Sequence, residues 1–315
     1  MAIDYKLRQY KKWLRENITL SDPFSPTALR NLTYSLLLGG NYRLLTEHNT
    51  KGQLVATFLW LSALQKEAKK QHGSDWLQAL FDDVYSKKKK SKELKVLLSW
   101  VMGLTSKTVH NLGLKPDDLP TFFQETVTYI NQLLENVNKK RFKDEAWLMM
   151  MAGSATLAIR GSKKSQIGKR FEGVFLRSLL SILGFTENES FWMNVGRDLE
   201  VEREADAEVE SKRGRIRIDI ALIAEGNQEV IEDKIARVGR NGIVIFDILG
   251  AQSQVYQTAE NNGVKLIQLR NCDPLLDVYQ HLRSLVRFDL NEPPRTPQTI
   301  QQAVNALPDD IFTVS

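Results

Sequence analysis

Arg217-Ile-Asp219-Ile-Ala-Leu-Ile-Ala-Glu-Gly-Asn-Gln-Glu-Val-Ile-Glu232-Asp-Lys234 is the stretch on which the fold of this 315-residue chain turns. Ile216, Ile218, Ile220 and Leu222 alternate with other residues, the period of a strand with one buried face. Asp219 then points to the opposite face, together with Arg215 and Arg217. The same period predicts a second strand on which Glu232 and Lys234 share a face. A two-residue turn at Gly226-Asn227 sets Asp219 opposite Lys234 and Ala221 opposite Glu232; a turn at Glu225-Gly226 sets Asp219 opposite Glu232. Either turn gathers Asp219, Glu232 and Lys234 on one face, whereas a one-residue slip reverses every side chain.

Two carboxylates and an ammonium on one face suit phosphodiester hydrolysis. Mg²⁺ takes hard oxygen ligands and is held through one or two carboxylates plus substrate phosphate oxygens. The ion activates water and neutralises charge as the phosphate reacts, and a fixed lysine can orient the water. The plain alternative is a surface salt bridge of little energetic weight. Spacing alone leaves both open.

Working outward, Glu200, Glu202, Glu204, Asp206, Glu208 and Glu210 fall on even numbers, and Arg213, Arg215 and Arg217 share a face of the next strand. Facing opposite charges stabilise an antiparallel pair by roughly 0.2–1 kcal/mol each. The ladder balances the arginines, or lends one acid to a metal site. Strand patterns cover Phe191–Val195, Leu199–Val209, Arg213–Ile223 and Glu229–Ile235. A helix is predicted from about Lys169 to Leu183, another from about Ile243 to Glu260 ending at the Asn262-Gly263 cap, and a strand over Val264–Leu269. Arg160 to Arg170 reads as a basic loop. Before it the chain reads as helix after helix: Leu7 to Leu14, Thr27–Leu38, Leu54–Lys70, Trp76–Tyr85, Lys92–Leu104, Leu119–Asn136 and Asp144–Ile159. Trp60, Trp76, Trp100 and Trp147 lie on apolar helical faces, as core residues do. The expected organisation is a helical region over 1–160, a catalytic core over 161–290 and an extension over 291–315.

Residues 1–150 carry a net charge of +8 and residues 151–315 a net −3, which points to a polyanion as partner. Cys272 is the only cysteine, which excludes an intrachain disulfide and a cysteine-rich zinc site. The four histidines are scattered without ligand spacing. No apolar run reaches the roughly 18–20 residues of a membrane span, and Met1 to Leu14 is charged and amphipathic, unlike a secretory signal. A cytoplasmic protein without a membrane partner is the expectation.

The order Asp219 … Glu232-Asp-Lys234, set within helix, three strands, helix and strand, resembles the PD-(D/E)xK nuclease superfamily over about residues 165–270. Ile218 stands where that pattern often has proline. The resemblance implies Asp219 and Glu232 as metal ligands, Lys234 as the water-orienting residue and Mg²⁺ as cofactor. Gly168-Lys169-Arg170-Phe171-Glu172 is similar to the helix preceding such cores, which makes Glu172 a further metal candidate beside its reading as a solvated glutamate. The helical first half, the chain length and the lack of a G-x-x-x-x-G-K-[ST] loop resemble type II restriction endonucleases, with no nucleotide cofactor. Arg237-Val-Gly-Arg240-Asn-Gly, Phe246-Asp-Ile-Leu-Gly-Ala-Gln-Ser and Pro274-Leu-Leu are similar to the CfrBI branch.

The fold expectation is therefore α+β / α/β, an all-helical region followed by a PD-(D/E)xK core of helix, three-strand antiparallel meander, helix and strand. The function this implies is Mg²⁺-dependent, sequence-specific cleavage of double-stranded DNA by a homodimer, leaving 5′-phosphate ends. Arg160, Lys163, Lys164, Ser165 and Lys169 are candidates for the DNA backbone. Arg237, Arg240 and Asn241 read either as base readers or as solvated surface, and Lys87 to Lys90 either as DNA-binding or as a solvated loop. The alternatives are a structure-specific or repair nuclease with the same core, and a non-catalytic helical DNA-binding regulator.

Overall fold

The computed structural model describes residues 12–13, 16, 24–86, 92–136, 142–193, 205–222 and 228–313, with backbone alone at 43–46, 48–49, 93 and 162–170. The chain divides into two compact units, Met1–Ser21 with Glu47–Lys164, and Asp22–Thr46 with Ser165–Ser315.

The first unit is helical, as its periodicity predicts. It draws on α2 (Tyr42–His72), α3 (Trp76–Ser86), α4 (Lys92–Val101), α5 (Ser106–Asn111), α6 (Leu119–Asn136) and the first part of α7 (Lys143–Ile182). Trp60, Trp76, Trp100 and Trp147 are all buried in its core, with Phe81 stacked on Phe123 at 4.1 Å between ring centroids. The Trp76 Nε1–H donates to Asp144 (2.7 Å), so the one polar atom of this buried ring is satisfied by the start of α7. Leu7 to Leu14, Lys87 to Lys90 and Glu200 to Glu204 lie outside the described residues, apart from Lys12 and Trp13.

The second unit is built on a mixed sheet of β1 (Phe191–Met193), β2 (Ala207–Ser211), β3 (Gly214–Ala221), β4 (Ile243–Phe246) and β5 (Lys265–Gln268), in that spatial order. The strands β1, β2 and β3 are antiparallel, and β3, β4 and β5 are parallel. The register sets Glu208 opposite Arg217 and Glu210 opposite Arg215, as the alternating charges require. One face buries Ile216, Ile218, Ile220, Ile243, Ile245 and Ile267 against α1 (Pro26–Leu37), the end of α7, α10 (Pro274–Leu282) and α11 (Pro297–Ala306). Ser25 caps α1 by accepting from the Ala28 N–H, and Pro26 opens it with a preset φ. Gly39 follows at φ 73°, where a Cβ would come within 2.9 Å of the Cys272 carbonyl oxygen, so both backbone conformation and close approach call for glycine.

On the other face, Val244, Phe246 and Leu266 are covered by α8 (Gln228–Val238) and α9 (Val255–Asn262). That cover lies over the parallel half of the sheet, and Asp219 pairs with Val244 at its border.

Three expectations are corrected. Glu229–Ile235 is not a strand but part of α8: Ile231, Ile235 and Val238, at spacings of 4 and 3, are the residues that bury, whereas the period-2 reading followed the polar Glu232 and Lys234. Ile243–Phe246 is not the start of a helix but a strand buried on both faces, a short apolar run with no periodicity to read; the helix that follows spans Val255–Asn262 and is capped by Gly263 in the left-handed region, where the cap was expected. The basic segment at 160–170 is not a loop but lies within α7, since it contains no proline and its glycines cost only about 1 kcal/mol each in a helix. The two-residue turns weighed at 225–227 lie outside the described residues.

Candidate active site

The register that pairs Glu208 with Arg217 continues by two residues to bring Asp206 alongside Asp219. Each carboxylate then serves the other's strand: the Asp206 N–H donates to Asp219 Oδ1 (2.8 Å) and the Ile220 N–H donates to Asp206 Oδ2 (2.9 Å). The helix α8 supplies the cations. Lys234 and Arg237 are three residues apart, on the same flank of its buried stripe. Lys234 Nζ lies 3.2 Å from Asp206 Oδ2 and 3.6 Å from Asp219 Oδ2. Arg237 Nη1 lies 3.2 Å from Asp219 Oδ2, and Nη2 lies 2.6 Å from Asp233. Glu172 on α7 completes the group by accepting the Leu222 N–H at 3.1 Å.

Asp219 is fully buried, and its Oδ2, although beside two cations, accepts no hydrogen bond. Burial pushes its carboxyl up to about 6; Lys234 and Arg237 pull it down and Asp206 pushes it up. Glu172 is raised to about 7, first by burial, then by the charges of Asp206 and Asp219, against the Leu222 N–H and Lys234. Carboxyls shifted by burial and grouped with specific charge partners make this cluster the candidate site.

The shift of Glu172 fixes a sign. Its folded pKa lies above the ordinary 4.5, so the stability it confers is complete below about 4.5 and is lost as pH rises through about 7. Glu172→Gln keeps an acceptor for Leu222 without the buried charge. In EDTA the variant should match the parent at pH 4.5 and exceed it at pH 8 by roughly 1–3 kcal/mol in chemical denaturation. An unchanged dependence on pH would remove Glu172 from the buried cluster.

Of the residues the sequence selected, Asp219, Lys234 and Glu172 come together. Glu232 does not join them, because two residues along a helix is a turn of roughly 200°, which puts it on the opposite flank of the buried stripe from Lys234. Arg237, expected at a DNA groove or on the surface, is held by Asp219 and Asp233 with its side chain 15% exposed. Arg240 is exposed after α8, and Asn241, at φ 66°, donates its N–H to the Gly263 carbonyl (2.9 Å). Arg160 pairs with Glu47 at 3.2 Å. The side chains of Lys163, Lys164, Ser165 and Lys169 lie outside the described residues.

Asp206 was the residue the selection missed. It stood in the even-numbered acidic series, and a two-residue turn at Lys212-Arg213 already implies that it faces Asp219.

Among the described residues, no group of three or more His, Cys, Asp or Glu side chains is arranged to hold a metal ion. Asp206 and Asp219 still fit Mg²⁺, which needs only one or two carboxylates from the protein, and the Oδ2 of Asp219 without a hydrogen bond is a buried oxygen suited to a ligand role.

A model of the CfrBI restriction endonuclease family matches residues 26–254 of the chain, a span that includes every residue of this cluster. Among curated proteins, the chain is similar to the type II restriction enzyme CfrBI of Citrobacter freundii, with 27% identity over 302 residues, covering 85% of this chain and 84% of that protein. No solved structure matches it.

Proposed function

The chain belongs to the CfrBI restriction endonuclease family and so is a site-specific deoxyribonuclease, and from that premise we propose that it cuts double-stranded DNA in a Mg²⁺-dependent, sequence-specific reaction with the cluster around Asp219 as its centre. The observation that carries this reading is the pairing of two carboxylates, Asp206 and Asp219, with Lys234 beside both. A regulator that only binds DNA has no use for buried carboxylates where phosphates must approach. The PD-(D/E)xK resemblance names Asp219 and Lys234 for the same work. It names Glu232 as second acid, a place that Asp206 takes in our reading because of its position beside Asp219.

In this mechanism Asp206 and Asp219 would hold the ion, and Glu172, raised to about 7 by burial, would add a ligand in its ionised form. When bound, Mg²⁺ supplies positive charge to the reacting phosphate and makes attacking water more acidic. Lys234 positions that water and offsets charge that develops on the phosphate. The backbone amides of Asp206 and Ile220 keep the two carboxylates in place through the reaction. In-line attack leaves 5′-phosphate and 3′-hydroxyl ends.

A homodimer supplies one such centre per strand of a palindromic site. The helical region within residues 1–160 adds grip or dimer contacts. Arg160, Lys163, Lys164, Ser165 and Lys169 are backbone candidates, and Arg240 and Asn241 groove candidates. The exposure of Arg240 supports its part. Among the described residues no helix is long and apolar enough to cross a membrane.

Digestion of a plasmid of known sequence tests the proposal. With Mg²⁺ the expected result is a fixed set of fragments whose mapped ends carry 5′-phosphates, and EDTA should abolish it. A smear, or nicking at branched DNA alone, would replace it with a structure-specific nuclease.

A further inference from the structure

The two acids Asp206 and Asp219 already have cations beside them without a divalent ion. Asp206 and Asp219 carry two negative charges between them, and Lys234 and Arg237 already match them. Lys234 is shared by both acids. Arg237 serves Asp219 alone of the two, and through Oδ2, the oxygen that accepts no hydrogen bond. It sits at ion-pair distance without the bond geometry of a committed partner. Its other terminal nitrogen is held by Asp233, whose side chain is 43% exposed, at the closer distance of 2.6 Å.

We infer that Arg237 is the resident counter-ion of Asp219, and that a divalent cation entering the site displaces it from Asp219 while Asp233 retains its guanidinium. This inference rests on the reading of Asp206 and Asp219 as metal ligands. A buried carboxylate without a counter-ion is costly, so the metal-free protein needs a cation at Oδ2. A divalent cation and a guanidinium at the same oxygen repel, and the repulsion is strong where water is excluded. Lys234, shared by both acids and positioned for the reacting water, stays. Arg237 has a second anion to keep it and can yield. Metal alone therefore binds against a competing cation, and the phosphate of bound DNA restores the charge balance, which couples metal binding to DNA binding.

Titration of the purified protein with Mn²⁺ alone, followed by the free-ion signal in electron paramagnetic resonance, tests the inference. Arg237→Gln should bind Mn²⁺ roughly tenfold more tightly than the parent in the absence of DNA, and Arg237→Lys, which retains the charge, should stay closer to the parent. Melting in EDTA and in Mn²⁺ gives a second readout, since Arg237→Gln should lose stability without metal and gain more from it than the parent does. Should Arg237→Gln fail to fold, a diamagnetic Mg²⁺ titration of ¹⁵N-arginine-labelled parent takes its place, with Arg237→Lys used to identify the signal. The Arg237 guanidinium resonance should shift on metal binding. Equal or weaker Mn²⁺ binding by Arg237→Gln, or an Arg237 signal that ignores Mg²⁺, overturns the inference. A parent that binds no Mn²⁺, or an Asp219→Asn variant that binds it as well as the parent does, instead overturns the metal reading beneath it.

Discussion

Asp219→Asn should reduce DNA cleavage by roughly 10³-fold or more while the protein remains folded and still binds its site, because the change removes charge from a pre-organised centre and little else. The substituted amide keeps an oxygen to accept the Asp206 N–H, so the link between the start of β2 and β3 survives. What is lost is the anionic Oδ2 that faces Lys234 and Arg237. Without it one of the two proposed metal ligands is neutral, and the two cations lose their common partner. Burial already disfavours the charged form of this carboxyl, so the metal-free variant should be at least as stable as the parent above pH 6. Single-turnover cleavage of a short duplex carrying the mapped site measures the loss, and a gel shift in Ca²⁺ measures retained binding. Cleavage within tenfold of the parent would remove Asp219 from the chemistry. Lys234→Ala should lose cleavage in the same way.

The sheet was legible in the sequence wherever one face was buried and the other charged. Ile216, Ile218 and Ile220 against Arg215, Arg217 and Asp219 gave both the strand and the direction of each side chain, and the acidic series gave its antiparallel neighbour, whose register the structure supplies. The helical first half followed from apolar spacing, with its tryptophans on buried faces. Legibility ended where polar residues were allowed to set the period. Between 228 and 238, Glu232 and Lys234 alternate as a strand would, but burial belongs to Ile231, Ile235 and Val238, and burial decides. The run Ile243–Phe246 offered no period at all, because both its faces are covered.

The candidate site shows the same division. Asp219 and Lys234 were found by residue type and by resemblance, and the structure brings them within 3.6 Å even though the element that carries Lys234 is a helix, not a strand. Arg237 could only be placed once that helix was known, since three residues is a shared flank on a helix and opposite faces on a strand. Asp206 was hidden for a different reason. Among the described members of the acidic series, Glu208 and Glu210 face arginines, and such paired charges draw attention away from Asp206, whose opposite residue is itself an acid.

That distinction leads to the sharpest comparison available, between the two acids that compete for the second place in the centre. Asp206→Asn should cut cleavage by roughly 10²-fold or more, and Glu232→Gln should leave it within about threefold of the parent. Asp206 Oδ2 takes the Ile220 N–H and lies 3.2 Å from Lys234, so it fixes the strand and the lysine together. Asparagine keeps an oxygen for the backbone amide but gives Lys234 no charge, which leaves the ammonium to Asp219 alone at 3.6 Å. Glu232 is half-buried on the far flank of α8, away from Lys234 and Arg237, and a neutral replacement there alters no contact within the cluster. Measured under the same single-turnover conditions, the two variants give opposite answers for the two assignments. If Glu232→Gln abolished cleavage and Asp206→Asn did not, the period-2 assignment of Glu232 to the metal would be the correct one. The segment from 228 to 238 would then have to present Glu232 and Lys234 on one side in the active complex, as a strand does.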